Sequence, residues 1–327
     1  MDTKRLTNPA AEEILGGYFP VLDHGFVSLV DYMGSDESIE RAARVSYGAG
    51  TRKVSQTRGL IRYLRRHHHT TPSEMVELKF HCAMPMFVAR QWIRHRTASV
   101  NEYSGRYSLM PLLFYKPAPD NFARQSGKNM QGRDAEAAPR DLYREAVERW
   151  ERSREAVSAD YSWLVGEDVA RELARIDLPL STYTQWYWKI DLHNLFHFLA
   201  LRAAPNAQWE IQEYARVMAG MLKRVAPLSY EAWLDYNFCG QSFSRGELES
   251  LALLLEPTDD GIRVRSGARE VTVEDLKGLG LSSREVEELR EKLEPRPVPH
   301  FELDLRRMRT AEEVEKEMYQ AVRGSFE

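Results

Sequence analysis

Arg94-His95-Arg96-Thr97-Ala98-Ser99-Val100-Asn101-Glu102-Tyr103-Ser104-Gly105-Arg106-Tyr107-Ser108 packs three arginines, one histidine, one glutamate, one asparagine and several hydroxyls into fifteen residues. The apolar run Met84-Pro85-Met86-Phe87-Val88-Ala89 comes just before it. Guanidinium forks suit phosphate, and amides and hydroxyls suit the edges of a ring. The segment therefore has the groups to hold an anionic, planar, hydrogen-bonding ligand. Residues 85–95 have helical spacing: Met86, Val88, Trp92 and Ile93 are apolar, Arg90 and Arg94 lie one turn apart, and Gln91 and Arg94 share a face. Arg96, Ser99, Asn101, Glu102, Ser104 and Arg106 are expected in a helix end and a loop, where Gly105 lets the backbone approach a ligand closely. The plain alternative is a solvated charged face.

Outward from this segment, Phe26 to Met33 reads as a strand from its β-branched and aromatic content. Ser35 or Asp36 then caps a helix through Val45 that Gly48 and Gly50 end, and a second helix covers Ser55 to Arg66. Thr71-Pro72-Ser73-Glu74 has the form of a capping box with proline at the first helical position. Val76 to Met84 reads as another strand. Residues 116–140, with three prolines and two glycines, read as a loop. Long helical blocks follow over Leu142–Ile176, Thr182–Arg202 and Gln208–Val225, broken at Pro179 and Pro205; Leu192, Leu195, Phe196 and Leu199 form an apolar stripe. Beyond residue 240 the character changes. Residues 241–327 hold 14 basic and 20 acidic side chains (net −6), leaving 31 and 29 (net +2) for residues 1–240. We expect two parts: residues 1–240, and an appended helical tail, 241–327, in which Ser282–Glu285 and Thr310–Glu313 are capping boxes.

The whole chain has 327 residues, 43% of them hydrophobic, enough for a sizeable core. Its net charge of −4 argues against a general nucleic-acid binder. Two cysteines, Cys82 and Cys239, are too few for a disulfide framework and imply a reducing cytoplasm. No apolar stretch is long enough for a membrane span, and the N-terminus lacks a signal-peptide core. No Gly-x-Gly-x-x-Gly follows a strand and there is no Walker motif, so arginines are left to hold phosphates. His67-His68-His69 could suggest a metal site. Three consecutive histidines cannot all face one ion in a regular element, and we expect none. Two other readings remain open here: an RNA-binding module with Arg94, Arg96 and Arg106 around Tyr103 and Tyr107, and a phosphohydrolase centred on residues 67–69.

The segment 94–106 resembles the signature of the flavin-dependent thymidylate synthases, Arg-His-Arg-x-x-Ser-x-Asn-Glu-x-Ser-x-Arg. The family's upstream His-x-Thr-Pro-x-Glu element is similar to His69-Thr70-Thr71-Pro72-Ser73-Glu74, with His67 an alternative register for His69. Ala174–Leu180 and Asp191–Arg202 also look like the family, so similarity is expected over most of residues 20–235 and to be absent in the tail.

The resemblance implies an α+β fold, a small, mostly antiparallel sheet flanked by long helices, assembled as a homotetramer with active sites between subunits. It implies reductive methylation of dUMP to dTMP, with 5,10-methylenetetrahydrofolate as carbon donor, FAD as hydride carrier and NADPH as reductant. It places Gln91, Trp92, Ile93, Arg94, Glu102, Tyr103, Ser104, Gly105, Arg106, Arg175 and Arg202 at dUMP. His69, Thr71, Arg94, His95, Arg96, Asn101, Glu102, Asp191, His193 and His197 would line the FAD site. Arg202 would stabilise negative charge on the ionised uracil ring, a role that fits electrostatic catalysis; a helix C-terminal arginine favoured by the dipole is the bland alternative. Neither cysteine is assigned a role.

Overall fold

The computed structural model describes residues 5–46, 57–127, 132–295 and 297–323. Among them the elements run α1 (Pro9–Glu12), β1 (Tyr18–Val21), β2 (Gly25–Met33), α2 (Asp36–Val45), α3 (Thr57–Arg66), α4 (Thr71–Glu74), β3 (Glu77–Pro85), α5 (Met86–Trp92) and β4 (Ser99–Glu102). Next come β5 (Ala123–Gln125), β6 (Arg133–Ala137), α6 (Arg140–Gly166), α7 (Arg171–Ala174), β7 (Tyr183–Asp191), α8 (Leu192–Arg202), α9 (Trp209–Val225) and α10 (Pro227–Trp233). The last are α11 (Arg245–Leu254), β8 (Leu255–Thr258), β9 (Gly261–Val264), α12 (Val273–Gly278), α13 (Ser283–Leu293) and α14 (Ala311–Arg323). The expected ends at Gly48, Gly50 and Ser55 lie outside the described residues. No helix among the described residues is long and apolar enough to cross a membrane.

Five strands form one antiparallel sheet in the order β1-β2-β3-β7-β4. Period-two alternation sends Leu78, Phe80, Cys82 and Met84 of β3 and Trp186, Trp188 and Ile190 of β7 into the core. There α5, α8 and α9 cover them. Trp92 is fully buried, with its ring 5.5 Å from Trp186, 5.3 Å from Trp188, 5.0 Å from Phe198 and 5.8 Å from Tyr214. Gly25 is needed where α9 meets the sheet. A Cβ there would lie 2.1 Å from the Tyr214 hydroxyl, which donates to the Ala83 carbonyl at 2.8 Å.

Several expectations need correction. The block Thr182–Arg202 is not one helix, because Tyr183–Asp191 is a central strand. Its aromatics alternate with partly exposed Gln185, Tyr187 and Lys189, a β pattern that aromatics on both faces obscure. Asp191 makes the switch to helix by capping α8, its carboxylate accepting from the Asn194 amide at 2.9 Å. Ser99–Glu102 is an edge strand rather than a loop. The stretch 116–140 contains a hairpin, β5 paired with β6. The block Leu142–Ile176 breaks after Gly166. Thr71 does not cap α4; Thr70 holds that position without a side-chain bond.

By contacts the chain forms two compact units, Met1–Trp233 with Phe301–Glu327, and Leu234–His300. The expected division at residue 240 does not coincide with them. In the first unit the final segment returns to the sheet: Tyr18 and Arg309 exchange backbone bonds of 2.9 and 2.8 Å, and Val314 packs on Phe26 and Ala83. The second unit has its own core of Leu276, Leu281, Val286 and Leu289. Both expected boxes form, with the Ser282 amide 2.7 Å from Glu285 and the Thr310 amide 2.7 Å from Glu313.

Cys82 is fully buried in β3, and burial pushes its thiol pKa well up, whereas Cys239 is exposed. A thiol-reactive chromophore should therefore label one cysteine in native protein and two after denaturation. Two fast-reacting thiols in the native state would contradict the placement of Cys82.

Candidate active site

The burial of Trp92 sets the site, because it fixes the residues on either side of it. After α5 the chain turns through Ile93 and brings His95 against the face of α8. The His95 ring lies 4.9 Å from Phe198 and 5.7 Å from His197. Arg202, in the last turn of α8, donates from Nε to His95 Nε2 at 2.9 Å and from Nη2 to the Gln91 carbonyl at 3.5 Å. His95 Nε2 is thus an acceptor and the imidazole is neutral. Burial, then the Arg202 charge, then His197 lower its pKa to about 4. Arg94, His95, Arg96, Thr97, Asn194, His197 and Arg202 are among the residues around a cavity of about 270 Å³. It lies just below the range of about 300–1,000 Å³ usual for small-molecule sites.

Downstream, β4 pairs with β7, placing Asn101 opposite Tyr187 and Glu102 opposite Trp186. Neighbouring strand residues point to opposite faces. Asn101 and Glu102, both expected at the flavin, therefore leave one chain in different directions. Glu102 accepts from the Thr184 hydroxyl at 2.8 Å. Ser104 Oγ accepts from the Arg106 amide at 3.3 Å, and the Tyr103 hydroxyl bonds to the Leu109 carbonyl. Gly105 is buried against Arg175; a Cβ there would lie 3.0 Å from Arg175 Cδ and 2.6 Å from Met110 Sδ. Arg106 pairs with Glu172 at 2.9 Å and borders a second cavity of about 480 Å³ beside Tyr107 and Arg171. The two ends of the motif thus line two cavities.

The histidine turn follows α3. His68 takes a left-handed φ of 57°, and His67 and His69 flank Tyr63 at ring distances of 4.4 and 5.8 Å. No three His, Cys, Asp or Glu side chains among the described residues are arranged to hold a metal ion. Thr71 is exposed at the start of α4, which packs on α8. On α8, His193 is half-buried, and its Nδ1 is buried without a partner. Its pKa is lowered by burial first and by Arg65 next.

Trp92 is a correction: its ring belongs to the core and offers no surface to a ligand. Ile93 is 37% exposed. Sequence reasoning missed the support behind Gln91. Gln91 donates to Gln208, Gln208 donates to Glu210 at 2.9 Å, and buried Glu210 also accepts from Arg133 at 2.6 and 2.7 Å and from Tyr115 at 3.0 Å. The contact between residues 91 and 208 spans separate helices and leaves no local signal. Arg65 was also missed.

The His95 pKa is below that of the unfolded chain, so the native state binds fewer protons between about pH 6.5 and 4. Its contribution to stability is present above pH 6.5 and is lost as pH falls towards 4. His95→Gln should therefore lose less stability than wild type between pH 7 and 4.5, as read from urea midpoints. Equal losses would mean that His95 is not the buried neutral group described.

Residues 28–228 match the family model described as thymidylate synthase complementing protein. The flavin-dependent thymidylate synthase of Gluconobacter oxydans is 50% identical over 290 residues, covering 88% of this chain and 91% of its own. That of Treponema denticola is 52% identical over 245 residues, covering 75% and 92%. The Gluconobacter match is too long to end at residue 240, so the likeness enters the C-terminal segment, where no motif pointed to it. Among solved structures, the UMP/dUMP methylase PolB of Streptomyces cacaoi, bound with 5-Br UMP, is 34% identical with a TM-score of 0.61, over 67% of this chain and 98% of that one. With the motif residues gathered on one α+β scaffold and these matches spanning most of the chain, the protein belongs to the flavin-dependent thymidylate synthase family.

Proposed function

We propose that this chain converts dUMP to dTMP by reductive methylation, with 5,10-methylenetetrahydrofolate as carbon donor, FAD as hydride carrier and NADPH as reductant. The observation that carries the reading is the Arg202–His95 pair. It sets a fixed guanidinium against a neutral imidazole, among further arginines and with no carboxylate bound to it among the described residues. A cation so held stabilises negative charge developing on an ionised pyrimidine ring. Gln91, Arg94, Ser104, Arg106 and Arg175 bind the nucleotide, with Glu102, Tyr103 and the Gly105 backbone beside them.

FAD fits the donor set of this chain. Arg94 and Arg96 suit a diphosphate, and the orphaned Nδ1 of His193 suits a ligand acceptor or donor. When bound, FAD supplies the hydride-transfer chemistry. His69, Thr71, His95, Asn101, Asp191 and His197 complete its binding surface. Two observations favour a homotetramer with shared sites: the small cavity at Arg202 and the opposite directions of Asn101 and Glu102. Exposed Leu173, Ile176 and Leu180, at 57%, 71% and 63%, offer apolar surface to another copy. Substrates of this kind fit a cytoplasmic enzyme.

Purified protein given dUMP, methylenetetrahydrofolate, NADPH and FAD under low oxygen should form dTMP, and protein stripped of flavin should not until FAD is restored. Folded, FAD-loaded protein that forms none would overturn the proposal. Arg202→Ala should fold and bind FAD yet lose on the order of 10²-fold or more in turnover, the loss seen when one preorganised donor is removed. Near-normal turnover would refute the role given to Arg202.

A further inference from the structure

Arg65, in the last turn of α3, is 8% exposed, and its Nε and Nη1 are buried with no hydrogen-bond partner among the described residues. An uncompensated buried charge is costly, and an apolar residue of similar length would pack there more favourably. Its guanidinium carbon lies 4.8 Å from the centroid of Phe196, a cation–π contact that offsets part of the cost. The dipole of α3 does not explain the burial, since Arg66 in the same turn meets it from an exposed position. Phe196 is three residues from His193 on α8, so the two share a face. The groups acting on His193 are Arg65 from α3, Glu74 from α4, Asp191 from the cap of α8, and His197 one turn on. Two polar groups that are buried and unpartnered among the described residues thus lie against one face of α8, which α4 also packs on.

We propose that Arg65 is a positioning residue of the flavin site, a fixed buried cation on the His193 face of α8. The inference rests on the reading of His193 as a flavin contact. It adds a residue outside the family motifs quoted above. Burial and Arg65 both disfavour protonation of His193. Attraction for the anionic cofactor from this face of α8 then comes from a charge that does not titrate, because guanidinium stays protonated. Without Arg65 one of the two causes that disfavour protonation of His193 is gone and burial remains, so His193 gains proton affinity and takes over the charge as pH falls.

The test measures FAD affinity by flavin fluorescence on stripped full-length protein between pH 5.5 and 8.5. Arg65→Met should bind FAD about tenfold more weakly than wild type at pH 8, and the deficit should shrink as pH falls towards 5.5. Adding His193→Gln should make the deficit the same at every pH, while Arg65→Lys should restore wild-type behaviour. Because His197 is present in all four proteins, its titration cancels in the comparison. Arg65→Gln replaces the methionine variant if that one fails to fold. A deficit in Arg65→Met that does not change with pH, or one whose pH dependence survives His193→Gln, overturns the inference alone. Wild-type protein that binds no FAD at any pH overturns the flavin reading and this inference with it.

Discussion

The burial of Trp92 is the constraint on which the rest depends. Its ring is enclosed by Trp186 and Trp188 of the sheet, Phe198 of α8 and Tyr214 of α9, so one side chain ties three layers together. Aromatic clusters of this kind combine large apolar burial with preferred ring geometry. Gln91 and Arg94 lie immediately around this anchor, and His95 packs on the same Phe198. The polar motif is therefore positioned by its apolar neighbours. The polar groups cost little to hold in place because the core has already ordered the backbone beneath them.

Electrostatics then sort the site. Many cations among the described residues have carboxylate partners on the surface, such as Arg58 with Glu231 or Arg149 with Glu145, and pairs of that kind contribute little. Around the smaller cavity the pattern changes. Arg202 donates to a histidine and a carbonyl, so its charge is oriented without being neutralised. Acceptance from Arg202 requires His95 to be neutral, and burial first and the proximity of that cation next keep it so. Behind Gln91 the opposite arrangement holds. Glu210 is buried, but Arg133, Tyr115 and Gln208 satisfy it, and the network anchors the β5–β6 hairpin to the helix that ends in the site.

Legibility in the sequence followed the range of the interactions. Features set by a few neighbouring residues were readable: the strands over 26–33 and 76–84, the helix over 209–225, and the boxes at Ser282 and Thr310. The motif 94–106 was readable because its chemistry is concentrated in one short stretch. Tyr183–Asp191 was missed because aromatics on both faces blur the alternation, and the helical stripe of 192–202 beside it dominated the reading. Trp92 was read as a ligand contact through the resemblance, just ahead of the motif; only the packing of distant Trp186, Trp188 and Tyr214 shows that it faces inward. The return of Phe301–Arg323 to the sheet and the support of Gln91 by Gln208 depend on contacts between residues far apart in the chain.

One consequence of strand geometry bears on how such a motif works. In a loop, Asn101 and Glu102 could turn to one ligand. In an edge strand the two-residue period forbids it, so adjacent polar residues must serve different surfaces. Glu102 is tied to Thr184 on the side of Trp186, while Asn101 stands beside Tyr187 on the other. A motif split this way functions as a unit only if both faces of the sheet edge are used. An exposed edge strand with polar side chains on each face is suited to that, since partners can approach from either side without displacing the core. The compactness of the motif in sequence and the separation of its ends in space then follow from the same choice, to carry it on an edge strand.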